Sequence, residues 1–160
     1  MSVAFKKEES AEIASEAILP DRPISPHPNL VTAAGLTALQ AQLDVAREAY
    51  QAAQKIEYVN ERRRQAASPL RDVRYLAERV RTAQVIVDPT STGIVAFGSK
   101  VTFKRADGRV QTYRIVGEDE AEPNAGSISF VSPIGRLLLG KAVGDEVHAL
   151  GQDVEIVAIS

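Results

Sequence analysis

The sequence predicts an α+β protein: an N-terminal antiparallel α-helical coiled-coil hairpin, followed by a small β-sheet domain with one short helix. Three observations predict it. Between residues 31 and 88, apolar residues recur at alternating three- and four-residue spacing in two segments. From residue 89 onward the apolar period shortens to two. Within that second region, one Ser-Pro stretch carries the start and stop signals of a short helix. A chain of 160 residues accommodates one domain with an appendage, or two small ones.

Residues 1–30 read as a flexible Pro-rich tail. Pro20, Pro23, Pro26 and Pro28 exclude helix and central strand there and favour extended chain. A second reading docks part of this tail on the body or on a partner, and Met1–Ala17 is expected as a frayed helix.

Residues 31–88 read as the hairpin. Leu36, Leu39, Leu43, Ala46, Tyr50 and Ala53 form one a/d seam; Val73, Leu76, Val80, Ala83 and Val87 form another. Two registers compete. A helix capped at Ser68 and started by Pro69 lets the first arm run on to Ala66. A fold-back near residues 58–62 instead pairs Leu39 with Val80, Leu43 with Leu76, and Ala46 with Val73. The apolar pattern favours the second register, with arms of roughly 22 residues, ~33 Å long, and a distal end near Tyr58–Ser68. Pro69 then either kinks the second helix or starts it.

Residues 89–160 read as the sheet domain. Val101 and Phe103 alternate with Thr102 and Lys104, and Asp107-Gly108 marks a hairpin into the run from Val110 to Ile115. "SISFV", "EVHAL" and "VEIVAI" supply three more strands. In "SFVSPIGRLLLGKAVGDEV", Ser132 is the expected N-cap, Pro133 sits at N1, Leu137–Leu139 pack on the sheet, and Gly140 stops the helix. Gly144-Asp145 then turns the chain into the next strand.

Composition excludes several function classes. There is no Cys, hence no disulfide, thiolate metal site or thiol nucleophile. A net charge of -2 gives no whole-chain attraction to nucleic acid or membrane. His27 and His148 are too few for a catalytic or metal cluster, and no P-loop, GxSxG or HExxH occurs. No 18-residue apolar run and no apolar leader are present, so a cytoplasmic location is expected.

"FGSKVTF", "TYRIVGEDEA" and "SISFVSPIGRLLLGKAVGDEV" occur in order and at fitting spacing. In these the chain resembles the Gre family of bacterial transcription elongation factors, over residues 31–160. The resemblance implies that the C-terminal domain is FKBP-like and docks on RNA polymerase at the secondary channel. It implies that the coiled coil enters that channel to modulate elongation or transcript cleavage in backtracked complexes. Nucleic acid would be met only through the transcription complex, with no membrane partner, and the chain is expected to be a monomer. Ser132, Pro133, Arg136 and Asp145 are the partner-binding candidates of the C-terminal domain. The protein would be no enzyme itself, at most a factor stimulating the polymerase's own RNA cleavage. It would hold no cofactor of its own, and at its tip would share the polymerase's Mg²⁺, a metal suited to carboxylates, phosphate oxygens and water.

The tip departs from the family's "Gly-Asp-x-x-Glu-Asn" pattern. Aligned on "EY", Gln51 and Gln54 take the acidic positions. In the symmetric register, Glu57 and Glu61 are the tip candidates for catalysis and shared Mg²⁺ contact, on one face if locally helical. Arg62, Arg63 and Arg64 are read either as solvated surface or as a contact to RNA or acidic groups in the channel. The arms are shorter than those of cleavage-competent relatives by about a dozen residues, or ~10 Å of reach. A non-cleaving secondary-channel regulator, an anti-cleavage factor and a regulator of the nucleoside diphosphate kinase type are the alternatives. Prolyl isomerisation lacks an aromatic-lined pocket, since the sheet region holds only Phe97, Phe103, Tyr113 and Phe130 as aromatics.

Overall fold

In the computed structural model, which describes residues 19–160, the two seams become two helices. Helix α1 spans Ala33–Gln54 and α2 spans Val59–Thr82, 22 and 24 residues long. The expected helix over Met1–Ala17 lies outside the described residues. The chain divides into two compact units: residues 19–25 with Leu39–Thr82, and Pro26–Ala38 with Ala83–Ser160.

In the first unit, Leu39, Leu43, Ala46 and Ala53 of α1 are buried, as the 3-4 spacing requires. The chain reverses over Lys55–Tyr58, where the Lys55 and Ile56 amides donate to the carbonyls of Ala52 and Ala53. A first arm running to Ala66 is thereby overturned. So is a distal end reaching Ser68, which lies well inside α2. Pro69 neither starts nor ends α2. It only withholds the amide that Gln65's carbonyl would have bonded. On α2 the buried residues are Ala66, Leu76 and Arg79, with Val73 and Val80 half-buried. Ala83 and Val87 leave the seam because the helix stops at Thr82, and Val87 is 83% exposed.

Residues 19–25 bear on the tail expectation. Arg22 donates to Asp72 at 3.2 Å and its guanidinium lies 3.8 Å above the Tyr75 ring, while Arg74 donates to Asp21 at 3.3 Å. For these residues the docked reading replaces the flexible one. The expectation for residues 1–18 lies outside the described chain.

The second unit begins with a short parallel pair, β1 (Leu30–Val31) against β2 (Gln84–Val85), with Leu30 opposite Gln84 and Val31 opposite Val85. The main sheet has five strands: β3 (Lys100–Arg105), β4 (Val110–Val116), β5 (Ser127–Ser129), β6 (Glu146–Ala149) and β7 (Gln152–Ile159), in the order β5-β4-β3-β7-β6. Alternation works as expected in β3, where Val101 and Phe103 are fully buried. Ile115, Ile128, Leu138 and Ile156 complete the centre of the core. Val154, Ile156 and Ile159 are not spaced by strict twos. A register shift between Thr102 and Phe103 in the β3–β7 pairing turns Val157 outward and brings Ile159 in. One strand direction was not legible in the sequence: β5 pairs parallel to β4.

The β6–β7 hairpin turns on Leu150 and Gly151, with φ of 57° and 76°. Two positive φ values describe a type I′ turn, which favours Asn-Gly and penalises a branched side chain at the first position. Leu150 is 51% exposed, so its side chain contributes little packing in return. Leu150→Asn is therefore expected to stabilise the protein by about 0.5–1 kcal/mol, measurable as a raised chemical-denaturation midpoint at unchanged m.

Candidate functional site

The hairpin tip collects most of the sequence-predicted residues. Glu57 is exposed in the reversal, two residues before α2 begins. It therefore does not share a helix face with Glu61, contrary to the expectation for a locally helical tip. Glu61 lies in the first turn of α2, where the helix dipole favours an acid. Its carboxylate accepts from Gln65 Nε2 at 3.0 Å and pairs with Arg64. The Gln65 amide, then Arg64, hold Glu61 below the usual carboxylate range. Arg62 braces the reversal by donating to the Ile56 carbonyl at 3.3 Å. Arg63 is exposed and makes no hydrogen bond or ion pair among the described residues. Tyr58 and Val59 also stand exposed there, at 78% and 47%.

These residues fit a shared Mg²⁺ poorly. Glu61 is committed to its own helix neighbours, and Lys55 and three arginines outnumber the two glutamates. Among the described residues, no group of three or more His, Asp or Glu is placed to hold a metal ion.

In the second unit, helix α3 covers Pro133–Leu138. Ser132 is its N-cap: Oγ accepts from the Gly135 amide at 3.1 Å and donates to the Ser129 carbonyl at 2.6 Å. Pro133 takes the first helical position, where a missing amide costs nothing. Leu138 is buried, whereas Leu137 is 41% exposed and does not pack on the sheet as expected. Leu139 is the C-cap, and the Gly140 amide donates to the Val95 carbonyl. Asp145 closes the following turn, its carboxylate accepting from the Ala142 amide at 2.8 Å. Ser132 and Asp145 are thus occupied by local structure. Pro133, Arg136, which lies 3.2 Å from His27 Nε2, and Leu137 are the exposed side chains of α3.

Sequence reasoning missed one constellation in this unit. Thr32 is the residue before α1, and its Oγ1 accepts from the Gly35 amide at 3.0 Å. The Glu120 carboxylate accepts from the Thr32 amide at 2.9 Å, from the Thr32 hydroxyl, and from the Gly117 amide at 3.3 Å. One signal could have found it. Thr32-x-x-Gly35 is a helix start without the acid that usually completes such a start three residues on.

Comparison with known proteins bears on these surfaces. Residues 90–160 match the family model described as "Transcription elongation factor, GreA/GreB, C-term". Transcription elongation factor GreA of Oenococcus oeni is 36% identical over 135 residues, covering 74% of this chain and 83% of that protein. GreA of Desulfovibrio desulfuricans is 46% identical over 88 residues, 54% of each chain. Against this and similar curated relatives, the chain spans about half of their length. The solved structure of GreA factor homolog 1 from Thermus thermophilus, 25% identical, aligns over 84% of this chain and 99% of its own with a TM-score of 0.40.

Proposed function

Because the chain belongs to the Gre family of transcription elongation factors, we propose that it binds RNA polymerase at the secondary channel and modulates elongation or transcript cleavage in backtracked complexes. The observation that carries this reading is the 36% identity reaching 74% of the chain, well beyond the sheet unit alone. The outward face of α3, with Arg136 and Leu137, is the proposed docking surface. The protein works in the cytoplasm as a monomer and meets nucleic acid only inside the transcription complex.

Retention on immobilised RNA polymerase tests the reading. The full chain should be retained, and Arg136→Glu should weaken retention about tenfold, the size of one interfacial charge reversal near 1.4 kcal/mol. A full chain that is not retained would overturn the proposal.

The tip supports occupancy of the channel more than metal delivery. Glu57 alone is an uncommitted acid, and it stands beside Lys55 and the arginine run. On a stalled, backtracked complex, RNA cleavage is expected to stay near the polymerase's own rate when this protein is added. Arg63 then leads the working surface, with Arg64 beside it held against Glu61 and Arg62 used to brace the reversal. Arg63→Ala with Arg64→Ala is expected to weaken competition against a cleavage-stimulating factor about threefold at low salt and less at high salt, as screened charge requires. Equal competition at both salt concentrations would return the arginines to solvated surface.

A further inference from the structure

Strand β6 ends the five-stranded sheet, so one of its edges faces away from β7. Ala149 opposite Gln152 closes the turn on Leu150 and Gly151. Hydrogen-bonded pairs alternate from that closing pair. Ala149 and Val147 therefore bond to β7, while the backbone amides and carbonyls of Glu146 and His148 point away from it. No backbone group among the described residues meets them there. β6 is thus a short open edge.

The same two residues carry the exposed side chains of the strand, since Val147 and Ala149 are buried. Their chemistries complement each other. His148 Nδ1 lies 3.0 Å from Asp153 Oδ1 on β7, which leaves Nε2 open on a side chain that is 71% exposed. Glu146 has another acid, Glu155, as its cross-strand neighbour and makes no ion pair among the described residues. Two apolar side chains stand in the open at the ends of the strand, Val143 at 55% and Leu150 at 51% exposure. Leu150 stands there although its φ of 57° favours Asn.

We propose that the β6 edge is a self-pairing surface, on which a second copy of this chain adds its own β6 antiparallel about a two-fold axis at Val147. Only that two-fold register bonds both outward-facing residues: Glu146 of each copy exchanges amide and carbonyl bonds with His148 of the other. The same register sets each Glu146 carboxylate opposite the other copy's imidazole, and each Leu150 beside the other copy's Val143. Charges usually keep an open edge from pairing, because across a two-fold they meet their like. An acid that meets an imidazole is attracted instead. The contact is smaller than the ~1,000 Å² of a stable interface, so pairing is reversible, with a Kd on the order of 100 μM. It is a state of the free chain, independent of polymerase binding, in which a single copy works.

The absence of native cysteine makes the register testable in the full chain. Glu146→Cys and His148→Cys chains, mixed and mildly oxidised at high concentration, are expected to form the crossed disulfide about fivefold faster than either chain links to itself. Paired positions lie ~5.5 Å apart between Cα atoms, whereas like positions are out of register by more than ~8 Å, beyond disulfide reach. Sedimentation velocity reads the pairing itself. His148→Glu is expected to weaken it about tenfold, by setting acid against acid. Leu150→Asn is expected to weaken it about threefold while stabilising the single chain, so misfolding cannot imitate the effect. A chain that stays single up to millimolar concentration would overturn the proposal. So would like-position links as fast as crossed ones, or a dimer that neither substitution weakens. Protection of the Glu146 and His148 amides from hydrogen exchange at every concentration would overturn it too, because another segment of the same chain would then cover the edge.

Discussion

Gly117→Ala is expected to lower the melting temperature by roughly 6–12 °C, the equivalent of about 3 kcal/mol in a chain of this size. Gly117 follows β4 and is buried. A Cβ there would lie 2.3 Å from the Leu30 carbonyl oxygen and 3.1 Å from Glu120 Oε2. The first of these atoms is backbone and cannot rotate away. Leu30 is held by the β1–β2 pairing, in which the Gln84 amide donates to the Asn29 carbonyl and the Ile86 amide to the Val31 carbonyl. Moving Gly117 instead would stretch its 3.3 Å bond to Glu120. Either route weakens a hydrogen bond, the one at Gly117 being part-buried. Gly93→Ala is the matched control, since its Cβ would meet nothing closer than 3.5 Å. Thermal unfolding followed by circular dichroism reads both. A shift for Gly117→Ala as small as the control's would show that β1 yields freely.

The hairpin and the sheet were legible in the sequence because each announces itself by period. Leu39, Leu43, Ala46 and Ala53 are buried as the seam on α1 demands, and Val101 and Phe103 as alternation on β3 demands. The second seam was less legible. Val73, Leu76 and Val80 share α2 with Arg79, which is 2% exposed although its charge argues for the surface. The reversal comes a few residues earlier than the apolar pattern suggests because Lys55–Tyr58 contains no Gly or Pro to mark it, while Pro69 marks a boundary that does not exist. The parallel pairing of β4 with β5 could not be read, because short strands carry no signal of direction. At the candidate site, the residue types were legible and their commitments were not. "NERRR" shows that acids and arginines are adjacent, but only the folded tip shows Glu61 bound to Gln65 and Arg64 and Arg62 bound to Ile56.

The contact least visible in the sequence carries the other large expected effect. A helix beginning with Thr usually takes its second capping group from a Glu or Gln three residues on, whose carboxylate reaches back to the cap amide. At the start of α1 that position is Gly35, and the carboxylate comes from Glu120, 88 residues away. The exchange has a steric logic. A Cβ on Gly35 would lie 2.3 Å from Glu120 Oε2, so the glycine is the space the distant acid occupies. Glu120→Ala leaves the amides of Thr32 and Gly117 and the Thr32 hydroxyl without their acceptor, with Thr32 only 4% exposed. The expected loss is about 2–3 kcal/mol, read from the denaturation midpoint. The same geometry predicts a change of sign. In the parent chain Gly35→Glu is destabilising, because its Cβ collides with Glu120. In the Glu120→Ala background it rebuilds the local capping box and should restore about 1 kcal/mol beyond what Gly35→Ala restores by helix propensity alone. Coupling between residues 35 and 120 of this size and sign, measured as a double-mutant cycle, would identify Glu120 as the missing acid of the α1 cap. If Gly35→Glu proves equally harmful in both backgrounds, the carboxylate does not act as that cap, and the glycine is required by the packing of the helix start itself.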